Sequence, residues 1–213
     1  MTRESKILIG VTVVVVGVMV GLFVAANRKS AAPSPVSNTA AVARASSHRL
    51  GSGSVQVVEF GDYQCPACEA AYPDTKRIIS DYQGKITFIF RNYPLPMHPN
   101  APMAAEAAEA AAAQGKFWEM HDKLYDTQNA WADLPNPLDT FVTYAGQLGL
   151  DTAKFKSDVQ NKAYQSIISA DQADGNALKL AGTPTFFVNN NMVNVQTSYY
   201  GDIKTAIDAA LKK

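Results

Sequence analysis

Two cysteines, three histidines and no net charge mark what this 213-residue chain has little of, and each scarcity removes a class of function. Three histidines leave little scope for a metal centre, because zinc sites draw on clustered cysteine and histidine at set spacings. Nineteen basic side chains balance nineteen acidic ones, so nothing points to nucleic acid as a partner. No internal repeat is visible, which sets aside solenoids and propellers. No cysteine lies near the end of the apolar amino-terminal run, and lipoprotein processing is thereby excluded.

That run, residues 7–26, is twenty residues without a charge, rich in Val and Ile. It has the length a helix needs to cross a bilayer core, about 20 residues. A secretory apolar region is shorter, about 7–15 residues, and precedes a small-residue cleavage site; Ala25-Ala26 is a weak candidate for one. The expectation is an uncleaved transmembrane anchor over 7–26 after a cytoplasmic 1–6, with a cleaved signal as the alternative. Arg3 and Lys6 before the span balance Arg28 and Lys29 after it, so the positive-inside rule gives a tie. Orientation rests on the arrangement itself: an anchored amino terminus with a carboxy-terminal domain more often exports that domain. The reading is a single-pass cell-membrane protein with an extracytoplasmic domain. Residues 27–53, dominated by Ala, Ser, Pro, Thr and Gly, read as a flexible linker with a reach of about 30 Å. Residues 54–213 are enough for one folded domain.

Within that domain the apolar pattern gives a buried strand over 55–60. A helix opens at Cys65 and runs to about Tyr82, kinked or interrupted at Pro73 and closed by Gly84. A second strand covers 85–92. Strand, helix, strand makes a βαβ unit with parallel strands. Residues 93–100 hold three prolines and read as a loop. Helices follow over 103–113, 117–127, 138–148, 152–161 (capped by Asp151) and 164–180, an all-helical block at about 102–180. Strands return at 185–189 and 192–196 around an asparagine turn, and a helix over 202–212 ends the chain. The fold class is α/β, β-α-β then β-β-α with a helical insertion.

The organising stretch is Val55-Gln-Val-Val-Glu-Phe-Gly-Asp-Tyr-Gln-Cys-Pro-Ala-Cys68, which contains the only two cysteines. At a helix start the first backbone N–H groups lack intrahelical partners and the dipole is positive. A thiolate at Cys65 sits in that field, so its pKa should fall. Cys68 lies one turn on, on the same face. Pro66 suits the first turn because it has no N–H to lose. A low-pKa thiol is a good leaving group and stabilises the reduced form, which makes the disulfide oxidising. Three other readings stay open on these residues: a structural disulfide, although so short a loop stabilises little; half a zinc site, needing two ligands from His48, His98 and His121; and two inert buried thiols.

Three motifs in order, Phe60-Gly-Asp-Tyr-Gln-Cys-Pro-Ala-Cys68, Gln114-Gly-Lys-Phe-Trp-Glu-Met-His-Asp122 and Gly182-Thr-Pro-Thr-Phe-Phe-Val-Asn189, resemble the DsbA-like branch of thioredoxin-fold thiol oxidoreductases, its membrane-anchored bacterial members above all. The resemblance spans roughly 54–213 and implies a thioredoxin fold. It implies a cis peptide at Thr183–Pro184 facing the cysteines, with backbone groups of Thr183 open to pair with an extended substrate. The strand pattern alone leaves Glu59 open as an outward-facing acid on an edge strand; the resemblance implies that it lies buried beneath Cys68 and relays its proton. The implied catalytic residues are Cys65, Cys68 and Glu59, supported by Pro66, Ala67 and Pro184, with Thr183 and Pro184 binding substrate. No cofactor beyond a redox-active Cys65–Cys68 disulfide and no metal is implied. The implied partners are cysteine-containing exported proteins, the membrane, and a quinone-linked re-oxidase of the DsbB or VKOR kind. One departure stands out: strongly oxidising relatives often carry histidine where this chain has Ala67, which cannot donate a hydrogen bond or charge to Cys65. Disulfide introduction is the expected activity; a reductase or isomerase of the same fold, or a tethered binding module stapled by its CxxC, are the alternatives. Arg91 and Asn92, ending the second strand, read as surface polar groups, and Phe117, Trp118 and Trp131 as helical core.

Overall fold

The computed structural model describes residues 39–212. The elements are α1 (Thr39–Val42), β1 (His48–Leu50), β2 (Val55–Gly61), α2 (Pro66–Asp81), β3 (Ile86–Asn92), α3 (Ala101–Ala112), α4 (Phe117–Asp126), α5 (Gln128–Trp131), α6 (Leu138–Gln147), α7 (Thr152–Gln160), α8 (Gln165–Ala177), β4 (Thr185–Val188), β5 (Asn191–Met192) and α9 (Tyr199–Ala210). The sheet order is β1-β3-β2-β4-β5. β2 runs parallel to β3 and antiparallel to β4, with Glu59 opposite Phe90 and Phe186. The βαβ unit followed by a ββα unit is a thioredoxin-like fold.

β2 and β3 are buried almost throughout, which is why they read as continuous apolar runs: both sheet faces are covered. On one face Val55, Val57, Phe88 and Phe90 pack with Cys68, Ala71 and Ile78 of α2, Ile203 and Ile207 of α9, and the helical insert. On the other, Val58, Phe60, Ile89 and Phe187 pack with Val42 and Tyr93. In the insert α3 is the hub, touching α4, α6, α7 and α8. Its buried side chains are alanines except Glu106 and Glu109, and small side chains let the neighbouring helices approach closely.

Some expectations fall outside the described residues and others are corrected. Residues 27–38 and the anchor 7–26 lie outside the described residues; among those described, no helix is long and apolar enough to cross a membrane. Within the expected linker 27–53, α1 is a helical turn with Ala41 and Val42 buried, and β1 adds an antiparallel edge strand to β3. The stretch is held because Arg91 donates to the carbonyls of Ala41 and Val42 at 3.0 and 2.9 Å. Arg91 and Asn92 are therefore buried, not surface groups. Pro73 does not interrupt α2. β5 is two residues, and α9 begins three residues earlier than expected because Ser198 caps it, its Oγ accepting from Gly201 N–H at 2.9 Å.

Candidate active site

The geometry around the cysteines begins with the turn after β2. Asp62 is 1 % exposed. Its carboxylate accepts from the backbone N–H of Gln64 and Leu95, each at 2.8 Å, and lies 2.7 Å from His98 Nδ1. It thereby ties the cysteine turn to the proline loop over residues 93–100. Cys65 N–H donates to the Asp62 carbonyl at 3.1 Å. Cys65 is the N-cap of α2, with extended backbone (φ −72°, ψ 122°), and Pro66 opens the helix. The extended residue turns its sulfur toward the unpaired amides of the first turn.

Both cysteines are free thiols, and their environments differ. Cys65 is held down to a pKa of about 5 by a hydrogen bond from the Cys68 thiol, against opposing burial, with further help from Thr183 and the N–H groups of Cys68 and Ala67. Cys68 is fully buried, and burial, the Cys65 sulfur and the Glu59 carboxylate all push its thiol well up. Ala67 thus contributes a backbone amide where its side chain has nothing to give.

Glu59 is on β2, 2 % exposed, and on the α2 face of the sheet, because residues opposite one another in a parallel pair share a face and Phe90 belongs to that core. Burial alone raises its pKa to about 8. Thr183 comes from the turn before β4: the Cys65 sulfur lies 3.5 Å from the Thr183 carbonyl oxygen, and the Thr183–Pro184 peptide is cis. Cys65, Cys68, Glu59, Pro66, Ala67, Thr183 and Pro184 are therefore brought to one place by β2, α2 and the β4 turn. Phe117 and Trp131 are buried, and Trp118 is half-buried against the core. His121 is buried in an aromatic cluster with Tyr63, Tyr72, Phe90 and Tyr125, and His48 lies 2.9 Å from Glu109. Among the described residues no group of three or more His, Cys, Asp or Glu side chains is placed to hold a metal ion.

Two contributors went unread in the sequence. Asp62 was visible only as part of a Gly-Asp turn. Gln128, 3 % exposed on α5, donates to the carbonyls of Tyr63 and Cys65 at 2.8 and 3.1 Å, and no local signal marks it.

The arrangement pairs a sulfur that carries negative charge with one that holds its proton, above a buried acid, and this is suited to thiol–disulfide exchange. Similarity to known proteins agrees. A family model described as Thioredoxin matches residues 47–209. The "Probable disulfide bond formation protein D" of Bacillus cereus is 32 % identical over 167 residues, 75 % of each chain. The "Na(+)/H(+) antiporter NhaA 3" of Salinispora tropica is 42 % identical over 136 residues, 63 % of this chain. The chain spans about a fifth of that antiporter's length (20 %). Among solved structures, oxidised BdbD from Bacillus subtilis aligns with a TM-score of 0.70 at 24 % identity, covering 85 % of this chain and 98 % of that one.

Proposed function

The chain belongs to the thioredoxin family, in its DsbA-like branch, and from that premise we propose that it introduces disulfides into exported proteins through Cys65 and Cys68, held at the outer face of the cell membrane by residues 7–26. The observation that carries this reading is the placement of the two sulfurs, Cys65 at the N-cap of α2 and Cys68 fully buried near the buried Glu59, a setting that holds one down to a pKa of about 5 and pushes the other well up.

A substrate thiolate attacks the Cys65 sulfur of the Cys65–Cys68 disulfide. The S–S bond breaks, and its electron pair leaves on Cys68. The Cys68 thiolate is unfavourable in its buried setting and takes a proton from Glu59, which with a pKa of about 8 still carries one at neutral pH. The substrate, now linked to Cys65, lies beside Thr183 and the cis Pro184, where an extended segment can pair with exposed backbone. A second substrate thiolate attacks the linked substrate sulfur, and Cys65 departs as a stable thiolate. Two electrons have passed from the substrate dithiol to the enzyme. By analogy with the family, a quinone-linked membrane partner of the DsbB or VKOR kind removes them. The cysteines carry the electrons, so the cycle needs no further cofactor.

Two measurements on the wild-type domain test the reading. Alkylation of the reduced protein should titrate at Cys65 with a midpoint near pH 5, while Cys68 stays unreactive. A depressed folded-state pKa adds stability that is fully present above the free-thiol value, about 8.5, and is lost as pH falls through about 5. The reduced form should therefore exceed the oxidised form in stability at pH 7, and the gap should close towards pH 4. A midpoint near that of a free thiol, with reduction destabilising the fold, would leave only the stapled binding module.

A further inference from the structure

We infer that Gln128 is a positioning residue for the redox pair: the helical insert, through this one amide, sets the electrostatics of Cys65. The inference rests on the oxidoreductase reading above and adds a residue to it. Gln128 sits on α5, a four-residue helix, 60 residues along the chain from Cys68 and 63 from Cys65. The helix is anchored by Trp131, which is fully buried, donates through Nε1 to the Leu124 carbonyl at 2.9 Å and meets Phe141 edge-on. From that footing Gln128 Nε2 reaches two carbonyls of the cysteine turn, Tyr63 and Cys65. A neighbour on the same helix, Asn129, donates to Glu69 in the first turn of α2 at 3.1 Å.

The Cys65 carbonyl is the first acceptor of α2. It takes the N–H of Cys68 and of Glu69, each at 3.1 Å, and Gln128 is a third donor on the same oxygen. Three donors fix the plane of the Cys65–Pro66 peptide. That plane determines where the Cys65 sulfur lies relative to the Ala67 and Cys68 amides, which help to hold its pKa down. Losing the Gln128 donors leaves the Cys65 carbonyl on its two helical N–H groups and the Tyr63 carbonyl without this amide, which loosens the N-cap residue, and hydrogen bonds to a thiolate weaken steeply with misalignment. A leucine at 128 keeps the volume and removes both donors. A glutamate keeps the shape, cannot donate when ionised, and places negative charge beside the two carbonyls and the thiolate.

The test uses Gln128→Leu and Gln128→Glu in the whole chain. For each variant the Cys65 alkylation midpoint and the equilibrium constant against a glutathione buffer are measured, with unfolding of the oxidised and reduced forms alongside. Gln128→Leu should raise the midpoint by about one unit and move the equilibrium about tenfold toward the disulfide; Gln128→Glu should move both further. Destabilisation should be greater in the reduced form, which carries the thiolate. A purely structural role would lower the stability of both forms equally and leave midpoint and equilibrium within twofold of wild type, and that result would overturn the inference. Should either variant fail to fold, the other supplies the same readout, and Gln128→Met supplies a third donor-free side chain of similar length. A wild-type midpoint near that of a free thiol would instead bring down the oxidoreductase reading, so the two failures are distinct.

Discussion

Two ionisable side chains are buried one residue apart across the central strand pair, and the protein treats them in opposite ways. Glu59 on β2 is in register with Phe90, and Arg91 on β3 with Phe60, so the two point to opposite faces of one sheet. Arg91 is 0 % exposed and engaged through all three nitrogens: Nε donates to Asp171 at 2.7 Å, one terminal nitrogen to Asp174 at 2.5 Å, the other to two carbonyls of α1, and the guanidinium lies 5.0 Å from the Phe60 ring centroid. Burial pushes Asp174 up, but the hydrogen bonds from Arg44 and Arg91 outweigh it and hold the carboxyl below its ordinary value. On the other face, burial acts on Glu59 without an opposing cation and lifts it to about 8. On the Arg91 face compensation is complete at Asp174, while at Asp171 burial still outweighs Arg91 and holds the carboxyl above its ordinary value. Compensation is absent at Glu59, as the proposed proton transfer to Cys68 requires, since a carboxylate locked by a cation would not carry a proton at neutral pH.

The sharpest way to break this comparison is to remove Arg91. Arg91→Leu takes the buried cation away from Asp171, which keeps only the Asn92 N–H, and from Asp174, which keeps Arg44, and loss of one partner of a buried ion pair costs about 3–5 kcal/mol. Urea unfolding should show a loss of that size, and amide exchange in 39–44 should quicken as α1 detaches. A cost under about 1 kcal/mol, the range of an exposed pair, would mean that the pairing on this face is not what holds α1 down.

Glu59→Gln should move stability the other way. The folded-state pKa of Glu59 lies above its unfolded value, so its favourable contribution is fully present below about pH 4.5 and is lost as pH rises through about 8. Above that pH the wild type carries a buried, unmatched carboxylate, and the reduced Glu59→Gln variant should be the more stable by roughly 2–4 kcal/mol. Near pH 4 the two should converge. The same variant should slow the step in which Cys68 leaves, because glutamine has no proton to give, and it should lower the Cys68 pKa, because a neighbouring negative charge has gone. A variant that is less stable than wild type at every pH would mark Glu59 as a structural residue like Arg91.

The two faces also differed in how far they could be read beforehand. Everything around Glu59 was local or carried by motif: an apolar strand, a Gly-Asp turn, Cys-Pro-Ala-Cys at a helix start, and Thr-Pro before a strand. Short-range pattern placed β2, α2 and β3 within a residue or two, and Asp151 was seen as the cap of α7, where its carboxylate accepts from Ala153 and Lys154 N–H. The Arg91 face was not legible. Arg-Asn at a strand end looks like a surface, and only contacts from α1, about fifty residues earlier, and α8, about eighty later, bury it. The residues 39–53 look like linker because their order comes from Arg91 and from pairing with the edge of β3, neither of which leaves a periodic trace. Gln128 and α5 were missed for the same reason: an isolated amide carries no pattern, and its partners lie 63 and 65 residues away.

The smallest expected effect is also the most controlled. Asp174 Oδ2 accepts from two guanidinium groups at the same distance, Arg44 Nε and Arg91, both at 2.5 Å. The acceptor is shared while burial changes, since the Arg44 side chain, although it adds a second bond to Oδ1 at 2.8 Å, is 42 % exposed and that of Arg91 is not exposed at all. Arg44→Ala should therefore cost only about 0–1 kcal/mol, and the cost should shrink further in high salt, which screens the exposed pair but not the buried one. Asp174 keeps Arg91 in this variant, so no carboxylate is left alone. If Arg44→Ala were to cost as much as Arg91→Leu, distance and not burial would govern both pairs. The contrast with Glu59 would then have to rest on the presence of a cation alone, without any help from the depth at which the charge is held.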